Sequence, residues 1–88
     1  LLVRYFAAAR SAAGTDEEHH HLPAGTTLAE LLTTLLAVER PTPPPGTPPL
    51  ARIITRSSFL RNETAARDHT MALGTNDIID VLPPFAGG

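Results

Sequence analysis

The residues best placed to do chemistry close the sequence, where Ile78-Ile79-Asp80-Val81-Leu82 runs into Pro83-Pro84 and then Phe85-Ala86-Gly87-Gly88. Ile78, Ile79, Val81 and Leu82 suit a largely buried strand, with Asp80 expected at a rim or a solvated edge. Pro83 and Pro84 carry no backbone N–H, so they end a sheet ladder, and their fixed φ favours a stiff, extended exit. Gly87 and Gly88 lack a Cβ, which lets a terminal carboxylate thread a narrow channel. Fully extended, residues 83–88 would span about 20 Å. This pattern suits delivery of the chain's own carboxylate into another protein. Terminal glycines also occur in tails that only fray, but a solvated tail is usually polar. Here no charged residue follows Asp80, and Phe85 is a large apolar group that a free tail would leave wet.

The side chains themselves offer little catalytic machinery. There is no cysteine, which excludes disulfides, thiolate metal sites and cysteine nucleophiles. All seven basic residues are arginine, which removes lysine Schiff-base chemistry. No Ser-His-Asp arrangement, phosphate-binding glycine loop or pair of acids on one predicted face stands out. Asp77 and Asp80 fit turn-capping or solvated carboxylates, and His69 is alone. His19-His20-His21 invites a metal, but neighbours in a strand point to opposite faces, so only His19 and His21 can share a side. Two imidazoles without a third ligand make a weak zinc or nickel site, and no metal is expected. A net charge of −2 and a pI near 6.0 indicate no basic face for nucleic acid. With no signal-like or membrane-length apolar run, the expected setting is soluble and cytoplasmic.

The ending Asp80-Val81-Leu82-Pro83-Pro84-Phe85-Ala86-Gly87-Gly88 resembles that of the MoaD/ThiS sulfur carriers, most of all the small subunit of molybdopterin synthase. Two further stretches share the resemblance: Val3-Arg4-Tyr5-Phe6-Ala7-Ala8-Ala9-Arg10 and Ser58-Phe59-Leu60-Arg61-Asn62. It implies that a MoeB/ThiF-like activating enzyme consumes ATP to adenylate Gly88, and that a desulfurase or rhodanese-type donor supplies sulfur to form a thiocarboxylate there. It further implies that Pro83, Pro84, Phe85, Ala86 and Gly87 insert into the large subunit of molybdopterin synthase, where a pterin precursor is sulfurated. Catalytic side chains would then lie on the partner, and this chain would bind no cofactor. By the same resemblance Phe6, Ala65 and Leu82 fall on a sheet face that meets partner enzymes, although Phe6 and Leu82 equally suit a core. Three other readings are a sulfur carrier for thiamine or cysteine synthesis, a ubiquitin-like protein modifier, and a pure binding module.

These residues need a scaffold, and 88 residues allow one domain with a modest core. Leu1 to Phe6 reads as a first strand with Arg4 its one charged position. Ala7 to Ala13 reads as a short helix closed by Gly14. Glu17 to Leu22 reads as a polar edge strand, and Pro23-Ala24-Gly25 as a turn. The main helix opens with Thr27 and Glu30 at capping-box spacing, and its stripe of Leu28, Leu31, Leu32, Leu35 and Leu36 should face a sheet. Arg40 sits on the favourable side of that helix's dipole.

Pro41 to Pro49 reads as a stiff surface loop inside the domain rather than a divider, and Leu50 to Thr55 as a helical turn. Ser57 to Asn62 and Thr64 to Arg67 form a hairpin about Asn62-Glu63, although the resembling proteins usually place Gly where Glu63 stands. A second turn spans Gly74-Thr75-Asn76-Asp77, with Asn76 expected at positive φ where relatives have Gly. The layout is α+β: a mixed four- or five-stranded sheet on one main helix over residues 1–82, with 83–88 as an extended tail. The resemblance makes this a ubiquitin-like β-grasp with its first and last strands parallel at the centre.

Overall fold

The computed structural model describes residues 1–84; Phe85, Ala86, Gly87 and Gly88 lie outside the described residues. Alternation sets the two central strands. In β1 (Leu2–Tyr5) Val3 and Tyr5 are buried, and in β5 (Ile78–Leu82) Ile79 and Val81 are buried. The two strands pair in parallel, Val3 beside Ile79 and Tyr5 beside Val81, so these four side chains floor one core. β2 (Glu17–His19) runs antiparallel to β1, and β3 (Ser58–Arg61) runs antiparallel to β5 and to β4 (Thr64–Ala65). Among the described residues the sheet order is β2-β1-β5-β3-β4, the expected mixed sheet with first and last strands parallel at its centre.

Among the described residues three helices cover the floor. In α2 (Leu28–Ala37) Leu28, Leu31 and Leu35 are fully buried. Its opening turn leaves no orphan donor: Thr27 Oγ1 accepts from the Glu30 N–H while Glu30 returns a carboxylate to the Thr27 N–H, completing the expected capping box. The Leu28 and Ala29 N–H groups donate to the carbonyls of Met71 and His69, which ties the 69–71 segment to the helix. The stripe is narrower than its periodicity predicts, for Leu36 is 45% exposed. The short helices α1 (Ala7–Ala13) and α3 (Leu50–Arg56) complete the layer, contributing Ala9, Ala12, Ala13, Leu50, Ile53 and Ile54 to the same core. Gly14 ends α1 at φ 80°, a left-handed turn that glycine adopts without Cβ strain.

Several local expectations change. The edge strand is three residues rather than six: its ladder to β1 covers Glu17–His19, Leu1 and His20 exchange one further pair of hydrogen bonds, and the Pro23 turn follows. The second hairpin strand stops at Ala65, after which Ala66 turns inward and is buried. Asn62 and Glu63 both have positive φ, at 49° and 69°, the signature of a type I′ hairpin turn. Asn76 does not have positive φ. Its turn is organised by Asp77, whose carboxylate takes the Gly74 N–H at 2.7 Å, the Asn62 amide at 3.0 Å and the Arg61 Nε at 2.7 Å. Burial alone would raise the Asp77 pKa, but these donors outweigh it and hold the carboxyl below its usual range.

Candidate functional site on the open sheet face

All three helices lie on one side of the sheet, so the register fixes what the other side presents. Across its middle stand Ala65, Leu60, Asp80, Arg4 and Glu17, each beside the next on the neighbouring strand. Nearer the Pro83 end, Leu82 lies beside Ser58, and alternation from Arg4 places Phe6 alongside Leu82. At the opposite end Ile78, Leu2 and His19 form a third row. Phe6 is 40% exposed, Ala65 is exposed, and Leu2, Leu60, Ile78 and Leu82 are half-buried, with no helix among the described residues above them. Phe6, Ala65 and Leu82 therefore share one open face, and none of them belongs to the enclosed core.

One feature of this face departs from the sequence reading. Asp80 is not at a solvated rim; it is 3% exposed in a central strand. Arg4 explains how it can be there, with Nε at 2.6 Å from one Asp80 oxygen and Nη2 at 2.8 Å from the other. Parallel pairing places the one charged residue of β1 beside the one charged residue of β5, and the planar guanidinium meets the carboxylate with two parallel bonds. The signal was present in two lone, opposite charges on strands expected to be neighbours.

The exit of the tail lies beside the helical layer. Pro83 is half-buried and Pro84 exposed, and both line an open groove of about 180 Å³ with Ala8, Pro48, Arg52, Ile53 and Arg56. The positions expected to carry the chemistry, Gly88 with Gly87, Ala86 and Phe85 before it, are outside the described residues.

A second polar cluster, missed in the sequence, sits on the core side of β1 and β2. Arg40 does not merely face the dipole of α2. Its Nη2 donates to the Leu35 carbonyl at 3.0 Å, while Nη1 reaches the Ala13 carbonyl at the end of α1 at 3.1 Å. The same two nitrogens grip the Glu18 carboxylate at 3.0 and 2.8 Å, and Nη2 also meets the Tyr5 hydroxyl at 3.1 Å. Tyr5 donates its proton to Glu18 at 2.6 Å, and His20 Nε2 lies 2.9 Å from the same carboxylate oxygen. Burial would raise the Glu18 pKa, but hydrogen bonds from Arg40, Tyr5 and His20 prevail and hold it at about 2. The Tyr5 phenol is pushed up by burial and by its bond to Glu18. Arg40 Nε is buried without a partner among the described residues, but both Nη nitrogens, Glu18, Tyr5 and His20 are engaged in holding elements together, so the cluster reads as a structural clip.

His19 and His21 are exposed, while His20 turns inward to Glu18, so the three histidines do not converge. Among the described residues no group of three or more His, Cys, Asp or Glu could hold a metal, and no helix is long and apolar enough to cross a membrane.

A mixed sheet with parallel central strands, helices on one face and a proline-terminated last strand defines a ubiquitin-like β-grasp protein. The chain belongs to the ThiS family, whose model matches residues 3–88, so the MoaD/ThiS resemblance read from the sequence holds across nearly its whole length. Among solved structures it is similar to SAMP1 from Haloferax volcanii, at 22% identity and a TM-score of 0.77 over 99% of this chain and 97% of that one. It is also similar to a chain in the complex of subunits 1 and 2 of molybdopterin-converting factor from Helicobacter pylori. That match has 21% identity and a TM-score of 0.66 over 99% of this chain and 96% of the other. At such identities these likenesses show the fold. No curated protein sequence matches the chain significantly.

Proposed function

We propose that this protein is the small, sulfur-carrying subunit of a molybdopterin synthase. The observation that carries the reading is that the ThiS family match runs through residue 88 and so takes in the Gly87-Gly88 ending. In the proposed cycle an activating enzyme transfers AMP from ATP to the Gly88 carboxylate, releasing pyrophosphate and turning a poor electrophile into an acyl-adenylate. The terminal sulfur of a persulfide on a desulfurase or rhodanese-type donor then displaces AMP to give an acyl disulfide. A thiol of the partner proteins attacks the donor's sulfur, forming a disulfide there and leaving Gly88 as a thiocarboxylate. A chain with no cysteine has no thiol of its own for this purpose. The tail delivers the sulfur into a large subunit, which holds the catalytic side chains and the pterin precursor. This chain binds no cofactor of its own, and the cytoplasm, where ATP is available, is the setting of the cycle.

The choice of acceptor rests on the Pro-Pro-Phe-Ala-Gly-Gly ending, and the paired subunits of the Helicobacter pylori complex lend it support. The open face supplies what a tail alone lacks, since six extended residues would make only a small interface. Phe6, Leu82 and Ala65 stand at the end and edge of that face, ready to be covered when the tail enters.

The test is intact mass, with fragmentation of the C-terminal peptide, on protein purified from its native host and again after incubation with an activating enzyme, ATP and a sulfur source. Replacement of one oxygen by sulfur at Gly88 is the expected result. No mass change after incubation would overturn it, as would a peptide continuing past Gly88. Isopeptide-linked species of high mass that require Gly88 would assign the protein instead as a modifier, in keeping with its likeness to SAMP1.

A further inference from the structure

The Arg4–Asp80 pair lies in the middle of the open face, with apolar neighbours on three sides and Glu17 on the fourth. Leu60 flanks it on one side, and Leu2, Ile78 and Leu82 lie above and below it. Asp80 is nine-tenths or more buried, while the Arg4 side chain is 34% exposed. The guanidinium spends Nε and Nη2 on Asp80. Its third nitrogen, Nη1, makes no hydrogen bond among the described residues, and its two N–H donors cannot be removed by deprotonation. Water satisfies them on a bare face. Once an apolar partner covers the face that water is stripped away, and an unpaired charged donor is among the costliest groups to bury.

Charge balance narrows what can replace the water. Asp80 already neutralises Arg4, and Glu17, directly across the β1–β2 ladder, is exposed beside it. The neighbourhood is therefore balanced or slightly negative, and a carboxylate arriving from outside would meet repulsion. A neutral oxygen would not.

We propose that Arg4 is a specificity-determining residue: its free guanidinium edge selects a partner that lays an apolar surface over this sheet face and presents a carbonyl oxygen to Nη1. This rests on the carrier reading, since that reading supplies the partner. Asp80 fixes the guanidinium through two bonds and leaves Nη1 unpaired, among the described residues, on a side chain that is 34% exposed. The pair thus divides its donors between fold and recognition.

The test uses the full chain and the large subunit of molybdopterin synthase from the same host. Arg4→Leu combined with Asp80→Val replaces the pair with apolar strand formers, an exchange that is often neutral or stabilising for a buried pair. Arg4→Lys keeps a cation beside Asp80 and removes the planar fork. Thermal unfolding checks both variants, and affinity is measured by calorimetry at low and high salt. The expected result is affinity about tenfold weaker in both, equivalent to about 1.4 kcal/mol, with folding intact and little dependence of the loss on salt.

Unchanged or tighter binding by the double variant overturns the inference, because a more apolar face should bind better if Arg4 reads nothing. A loss that disappears at high salt also overturns it, since the acceptor would then be a carboxylate. Failure of the carrier reading looks different: the unsubstituted chain would neither gain sulfur at Gly88 nor bind the large subunit, and this inference would fall with it.

Discussion

Glu18 and Arg40, twenty-two positions apart, meet through two hydrogen bonds of 2.8 and 3.0 Å, and this one contact joins the edge strand to the ends of both α1 and α2. Because the Glu18 carboxyl is held at about 2 against an ordinary 4.5, its contribution to stability is complete above about pH 4.5 and is lost as pH falls towards 2. Glu18→Gln should lower stability at pH 7 by about 2 kcal/mol, since charge-assisted bonds are replaced by neutral ones. Near pH 2 about half of the carboxyl is protonated in the parent as well, so most of the gap between the two proteins should close. Urea denaturation at pH 7, 4 and about 2 measures this directly. A gap that stays constant across that range would show that Glu18 acts by shape and not by charge.

Arg40 should be the more sensitive partner. Arg40→Ala takes the cationic partner from a part-buried carboxylate, which keeps only Tyr5 and His20, and strips the donor from two helix-terminal carbonyls, with an expected cost of about 3–5 kcal/mol. Adding Glu18→Gln to Arg40→Ala should recover part of that loss, because the orphaned charge disappears. A double-mutant cycle in denaturant gives the coupling. Strictly additive effects would contradict a shared network.

What could be read in the sequence was mostly local. The capping box of Thr27 and Glu30, the Gly14 stop, the Asn62-Glu63 turn and the buried alternation of β5 all depend on residues a few positions apart, where spacing alone carries the signal. The two charged networks depend on distant residues. Arg40 meets Glu18 only because the segment after α2 returns to the start of the sheet, so a local reading sees only a helix dipole. Asp80 was placed at a rim because a lone carboxylate in a strand is usually solvated. The parallel pairing of β1 with β5 had been expected from the resemblance, and joining it to the lone charge of each strand gives the Arg4–Asp80 contact. Leu36 shows the opposite error: periodicity put it on the helix stripe, but the core ends at Leu35.

The hairpin turn carries strain that one substitution should relieve. Glu63 holds φ at 69°, a left-handed conformation costing a side chain about 1–2 kcal/mol. Glycine adopts it freely but gains about 0.4–1 kcal/mol of unfolded-state entropy, so Glu63→Gly should stabilise by roughly 0.5 kcal/mol. For a domain of this size the melting temperature should rise by about 2–4 °C. Glu63→Ala, which keeps a Cβ, should give no such rise, and an equal gain from both would mean that removing the carboxylate mattered and the backbone did not.

Phe6 and Leu82 stand on the face that the carrier reading covers with a partner, and they allow folding to be separated from docking. Phe6 is the N-cap of α1, and its side chain caps nothing, so Phe6→Asp removes an exposed ring while adding a favoured capping group. Stability should stay within about 0.5 kcal/mol of the parent. Binding to the large subunit should nevertheless weaken by about thirtyfold, the loss of an exposed aromatic anchor. Leu82→Asp is the harsher variant, since Leu82 is half-buried in β5 with Asp80 two positions before it on the same face. It should still fold, with a lower melting temperature, and fail to bind. Thermal unfolding paired with calorimetric titration reads both quantities on the same samples. A Leu82→Asp protein that is unfolded at room temperature would make Leu82 a residue of the core, and a Phe6→Asp protein that binds normally would remove this end of the sheet from the docking surface.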